Sequence, residues 1–367
     1  MKTSSASEPP HRISAFWSEL PKSLFGFLES AVGPLEPHHE RVALVLEVVR
    51  IEEFIESQRL WWGRPLISRK ALARAYLAKS TLGTPTTKEF RALLVVDVRL
   101  RQLCGFTGRV PSEATFSRAF AGLAHSGIAD RVHEYLVRVH LGQETVFHLS
   151  RDATDIRAPG KNEGQPKVSE PKKKPGRKKG VAPKPKVKSR QEKQVEQPWQ
   201  ESVAELPTIC DIGTKQNSKG KRFYWTGFKL HIDVADGGVP ISACTTSASL
   251  HDSQAAIPLA KMSSQRLGTI FYELMDRGYV GHCIPETIRG LNHVPLIKGK
   301  AYKSHLPVQF DPAAQERFSN RVAVERFFSD LKMNHGGSSV RVRGHRKVHC
   351  HLMMGVLSIF ALSVLRI

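Results

Sequence analysis

The stretch FYWTGFKLHIDVADGGVPISACTTSA, residues 223–248, decides the fold class. Two strand-like runs, 223–236 and 239–248, are joined by a DGG turn, the pattern of an antiparallel hairpin. On its N-terminal side, ETVFHLSRDAT (144–154) reads as another strand. On its C-terminal side HDSQAAIPLAKM (251–262) reads as a helix, TIFYELMD (269–276) as a strand running into Gly278, and HVPLIKG (293–299) as a strand. Strands interleaved with helices predict an α/β fold, a mixed sheet with helices packed on it.

Residues 1–140 carry helical patterns instead. RVALVLEVVRIEEFIE (41–56) has helix-compatible apolar spacing, SRKALARAYLAKS (68–80) begins at a Ser cap, and TTKEFRALLVV (86–96) follows Pro85. PSEATFSRAFAGLAHSG (111–127) has Ser112 as N-cap and a Gly stop. With the helix ending near LCGFTGRV it resembles a helix–turn–helix, with Ser117 and Arg118 on the helix that would face DNA.

Residues 158–200 differ in composition, with 13 Lys and Arg against 4 Glu and few apolar residues. Such a segment cannot bury enough surface to offset its chain entropy, so it predicts a disordered basic insertion. Four regions follow: 1–140 helical and DNA-binding, 141–157 the first strand of the second domain, 158–200 the insertion, and 201–367 the rest of that domain. The net charge of +21 points to a polyanionic partner, nucleic acid before membrane. The first residues lack an apolar signal core, which predicts a cytoplasmic, nucleoid-associated protein. LMMGVLSIFALSVLRI (352–367) is short for a membrane span and reads as a buried helix. Five dispersed cysteines without a CxxC pair fit reduced thiols. His345 and His349, one helical turn apart, could share a metal, although contacts of a basic helix end with phosphate or solvent fit the surrounding residues better.

Three carboxylates stand out. Asp152 and Asp276 fall at the ends of predicted strands, and Glu325 lies in FSNRVAVERFFSDLK (318–332). Read as one helix, that segment puts Arg321, Glu325, Lys332 and Phe318 within about 60° of one line, bordering the apolar face of Val324, Phe327, Phe328 and Leu331. The bland reading of Arg321 and Glu325 is a local ion pair. Gathered together, however, three carboxylates repel one another, and a hard divalent cation relieves that repulsion. Asp155, three positions after Asp152, is expected on the other face of its strand. Arg321, Lys332, Lys229 and Arg118 are the candidate phosphate contacts. Trp225, Tyr279, His231 and His251 read as packing or hydrogen-bonded structural residues.

Taken in order, DAT at 152–154, TGFKLHIDVADGGVPI, TTSASLHDS, DRGYVG at 276–281 and the Phe-x2-Arg-x3-Glu-x6-Lys spacing of 318–332 resemble the DDE transposases of bacterial insertion sequences, with Phe318 where that family usually has Tyr. The N-terminal helices also look like the domain that precedes the catalytic domain there. The resemblance implies a ribonuclease H-like catalytic domain preceded by an all-α domain. It implies Asp152, Asp276 and Glu325 as catalytic metal ligands for Mg²⁺, for which Mn²⁺ can substitute. It also implies DNA as partner, both element ends and target, no membrane, and a homodimer on DNA. The implied reaction is hydrolysis of a phosphodiester at the element end, then attack of the 3′-hydroxyl on target DNA. Two other readings are a non-catalytic DNA-binding relative and a different metal-dependent nuclease on the same fold.

Overall fold

The computed structural model describes residues 23–56, 67–163, 188–216, 220–299 and 309–366. The N-terminal part is helical: α1 (Ser23–Val32), α2 (Pro37–Val49), α3 (Arg69–Thr81), α4 (Thr87–Val96), α5 (Val98–Leu103), α6 (Glu113–Ser126) and α7 (Ile128–Leu141). Their starts follow from local capping. The Ser68, Thr86 and Ser112 side chains each accept a backbone N–H three residues on, and Gly127 ends α6 in the left-handed region. The run expected at 41–56 is interrupted, because Arg50 takes a left-handed conformation and the chain continues as a 3-10 turn, Ile51–Phe54.

The second part comprises β1 (Thr145–Arg157), α8 (Arg190–Glu196), α9 (Trp199–Ala204), β2 (Asp211–Gln216), β3 (Arg222–Val234), β4 (Pro240–Ser247), α10 (Ala256–Arg266), β5 (Thr269–Met275), α11 (Cys283–Gly290), β6 (Val294–Ile297), α12 (Pro312–Ser319), α13 (Val322–Asn334) and α14 (His345–Val364). The sheet order is β2-β3-β1-β5-β6, with β4 also paired to β3. β1 is antiparallel to β3 and parallel to β5, and β6 is parallel to β5. β3 shares one edge between two partners, β2 along residues 222–227 and β4 along 228–234. Gly227 stands at the junction with φ 148°, and a Cβ there would lie 2.2 Å from the Ile156 carbonyl oxygen.

Charge, not only apolar contact, fixes the register of the three central strands. Arg151, fully buried, pairs through two nitrogens with Asp233 on β3 at 2.7 Å each and with Glu273 on β5 at 2.8 Å. The Ser242 and Ser263 hydroxyls also donate to Asp233, and His293 meets Glu273 at 2.7 Å.

Three expectations need correction. The segment expected to be disordered is ordered at its end: α8 and α9 pack on α10, with Lys261 Nζ donating to the carbonyls of Gln194, Val195 and Gln197 at 2.7–2.8 Å. Residues 164–187 of that segment lie outside the described residues. β2 was not foreseen, because this edge strand is polar and buries only Gly213, beneath the Trp225 ring. Residues 318–332 are two helices, α12 and α13, broken at Asn320 and Arg321. The N-terminal helices end at Leu141, and the C-terminal α14 joins them in space. α14 is apolar almost all round, is buried as expected, and packs on α2, α3, α6 and α7 as well as on β4 and α13. One continuous apolar core therefore runs from the N-terminal helices through the sheet to α14.

Candidate active site

Strand register brings the first two carboxylates together. Arg151 on β1 pairs with Met275 on β5, so the next residues of each chain segment, Asp152 and Asp276, are neighbours. Asp152 is mid-strand, since β1 runs on to Arg157, and only Asp276 sits at a strand end. Each is anchored by one oxygen: Asp152 Oδ1 accepts the Ala153 N–H and Asp276 Oδ1 accepts the Gly278 N–H, both at 2.8 Å. Burial lifts the Asp152 carboxyl above its usual range; Asp276 adds to the lift, while the Ala153 N–H and Arg321 oppose it.

The third carboxylate comes from α13, which packs over β1 and β3 with Val324, Phe327, Phe328 and Leu331 buried. Glu325 is in its first turn with a half-exposed side chain. Arg321, in the break before α13, joins the two sides. Its Nη1 meets Asp152 Oδ2 at 2.9 Å, and its Nη2 donates to Glu325 Oε1. Asn320 and Arg321 keep helical dihedrals through the break, and from there the Arg321 side chain reaches β1.

This arrangement fits a hard divalent cation. The donors are all carboxylate oxygens, and a guanidinium already supplies positive charge at Asp152 Oδ2 and Glu325 Oε1. The three acids do not form a closed cluster. Among the described residues, the trio with ligand atoms mutually within 4.8 Å is His38, His39 and Asp97. That trio is poorly suited to metal: His39 Nδ1 accepts the Glu36 backbone N–H, so its Nε2 carries the proton and donates to Asp97, whereas a metal-bound imidazole donates through its other nitrogen.

The candidate cations divide. Lys332 is paired with Asp155 at 3.0 Å, so both are engaged with each other. Asp155, three positions after Asp152 on β1, thus also meets α13, through the Lys332 side chain. Lys229 is also engaged, with Asp252 at 2.8 Å and the Leu250 carbonyl at 2.8 Å, which leaves it no free charge for phosphate. Arg118 is exposed on α6. Phe318 is buried at the end of α12 against Phe310, Leu274 and Leu296, a packing role that needs no hydroxyl.

Asp252 and Tyr279 join the site unforeseen. The Tyr279 hydroxyl is buried without a hydrogen-bond partner among the described residues. Burial pushes its pKa well up, and the charges of Asp152, Asp252 and Asp276 add to the rise. The other aromatic and imidazole residues are structural. Trp225 donates to the Phe228 carbonyl, His231 meets Thr246, and His251 caps the turn at Ser253. His345 and His349 do not converge on a metal or face phosphate. They point inward, His345 to the Thr245 carbonyl and His349 to Thr245 Oγ1 and Asp130.

Two family models match the chain. The family described as transposase DDE domain matches residues 148–361, and the family described as transposase domain (DUF772) matches residues 32–121. No curated protein matches the chain.

Proposed function

Because the chain belongs to the transposase DDE-domain family, which matches residues 148–361, we propose that it binds the ends of an insertion sequence, cuts DNA there with divalent metal and joins the freed 3′ end to target DNA. We assign Asp152, Asp276 and Glu325 as the metal-holding residues. Bound there, Mg²⁺ or Mn²⁺ would supply activation of the attacking oxygen and stabilisation of the leaving one. The protein's part is positional. Asp276 is fixed through one oxygen, and Asp152 through both, Oδ1 by the Ala153 N–H and Oδ2 by Arg321, which metal would replace there. Arg321 holds Glu325 near β1, and release of Glu325 frees guanidinium N–H groups for a phosphate fork. Transposition handles two ends, so a homodimer on DNA is part of this reading.

The observation that supports it best is the pair of bonds from Arg321 to Asp152 and Glu325, two carboxylates 173 positions apart, met by one cation beside Asp276. The test uses duplexes carrying the repeats that flank the gene, with Mg²⁺. The wild-type protein cuts them and joins the 3′ end elsewhere. Glu325→Gln binds them but cuts at least about a thousandfold more slowly, as loss of several kcal/mol of charge stabilisation requires. Cutting without joining would identify a nuclease of another kind, and binding without cutting by the wild type a non-catalytic relative.

A further inference from the structure

We propose that α6 seats in the major groove of duplex DNA and that the cations on its two sides come from different parts of the chain, the N-terminal helices on one and the segment after the catalytic helix α13 on the other. The proposal rests on the transposase reading and adds a second, C-terminal half to the DNA seat.

The geometry starts with α6. At about 100° per residue, Ala114, Arg118, Ala121 and His125 fall within about 40° of one line. That line lies opposite the buried Phe116, Phe120 and Leu123, and it forms the helix's outer ridge. Its small residues permit close approach, and Arg118 has the fork that reads guanine.

A cavity opens on each flank of this ridge. One, of about 1120 Å³, lies between α6 and helices α3 and α7 and carries Arg69, Arg109 and Arg131. The other, of about 500 Å³, lies between α6 and the stretch leading into α14 and carries Arg341, Arg343 and Lys347. All six cations are exposed, and none has a carboxylate partner among the described residues. Each cavity has one acidic residue in its lining, Glu56 and Glu113 respectively. The two flanks are physically tied, since Arg346 at the start of α14 meets His125 on the ridge at 2.9 Å.

A ridge with cations on both sides matches a duplex groove about 12 Å wide, which an α-helix enters with a phosphate strand on either side. A single strand would need one basic track with rings offered for stacking. Here the aromatic residues of the two cavities, Phe54, Tyr76 and Phe120, belong to the core.

The test measures binding of the full chain without divalent metal to a repeat duplex and a scrambled duplex across a salt series. Arg341→Gln/Arg343→Gln is expected to reduce the slope of log affinity against log salt by about 1.8, equally for both duplexes, because two phosphate contacts are lost. Arg69→Gln/Arg131→Gln, on the opposite flank, is expected to do the same. Arg118→Ala is expected to lower the preference for the repeat about tenfold or more while changing scrambled binding little. Unchanged slopes in both double variants, with melting temperatures equal to wild type, would overturn the seat. If the wild type neither prefers the repeat duplex here nor cuts it once Mg²⁺ is added, the transposase reading fails; if it does both and the variants keep their slopes, only this proposal fails.

Discussion

At Arg321 one guanidinium answers two carboxylates, Asp152 and Glu325, and supplies the positive charge between them. Without it, the buried Asp152 and its neighbour Asp276 would face each other with less compensation. Replacing Arg321 with Gln should therefore make stability depend more on metal. Thermal melting with and without Mg²⁺ should show a larger increase in the variant than in the wild type, and an equal increase would argue against the bridging role. The sequence singled out the three acids by their type and order. The partners were not legible there: Asp155 with Lys332 and Lys229 with Asp252 depend on side-chain reach across elements, which spacing along one element does not encode. Tyr279 likewise read as a core aromatic, because nothing local shows that its hydroxyl is buried without a hydrogen-bond partner among the described residues.

Between elements, the geometry of the candidate site depends on strand register. Asp152 and Asp276 are neighbours only because β1 and β5 pair at Arg151 and Met275, and a slip of one residue would turn Asp152 to the opposite face. The buried Arg151, Asp233 and Glu273 bind β3, β1 and β5 at that register. Arg151→Met would leave two buried carboxylates without their counter-charge, and urea unfolding should show a loss of about 3–5 kcal/mol. A loss under about 1 kcal/mol would mean the network is dispensable. The long strands were visible through the hairpin at 223–248, whose apolar runs and DGG turn are local signals. β2 was not, because its stability comes from pairing with β3 and from Trp225 covering Gly213. The break between α12 and α13 was also hidden: the apolar spacing continues through it, and only tertiary packing of Phe318 and Arg321 on different partners reveals it.

Across the whole molecule, α14 closes the N-terminal helical bundle and contacts the sheet, so the two family-matched regions share one core. Thr81 and Ser358 share a hydrogen bond at 3.0 Å within it, and His335 and Ser80 are joined nearby. The sequence showed an apolar C-terminal helix but not its site, because an all-round apolar pattern names no particular neighbour. His349 gives this junction a pH response. Burial alone would lower its pKa, but the charge and hydrogen bond of Asp130 on α7 raise it, and Asp130 is lowered in return. The His349 contribution to stability is then fully present below the unfolded value of about 6.5 and is lost as pH rises through the raised folded value. The Asp130 contribution is present above about 4 and is lost as pH falls through its lowered folded value. Melting temperature should accordingly decline on the alkaline side of about pH 6.5, and His349→Gln should flatten that decline. An unchanged profile in the variant would assign the pH response elsewhere.

The account stands on Asp152, Asp276 and Glu325 acting together on metal at DNA. Crystals of the protein with a repeat duplex and Mn²⁺, measured for anomalous scattering, test it most directly. The expected result is metal peaks about 3.5–4 Å apart, ligated by oxygens of all three residues, with Arg321 withdrawn from Glu325. Peaks that leave Asp152 or Glu325 without metal while DNA occupies the site would contradict it.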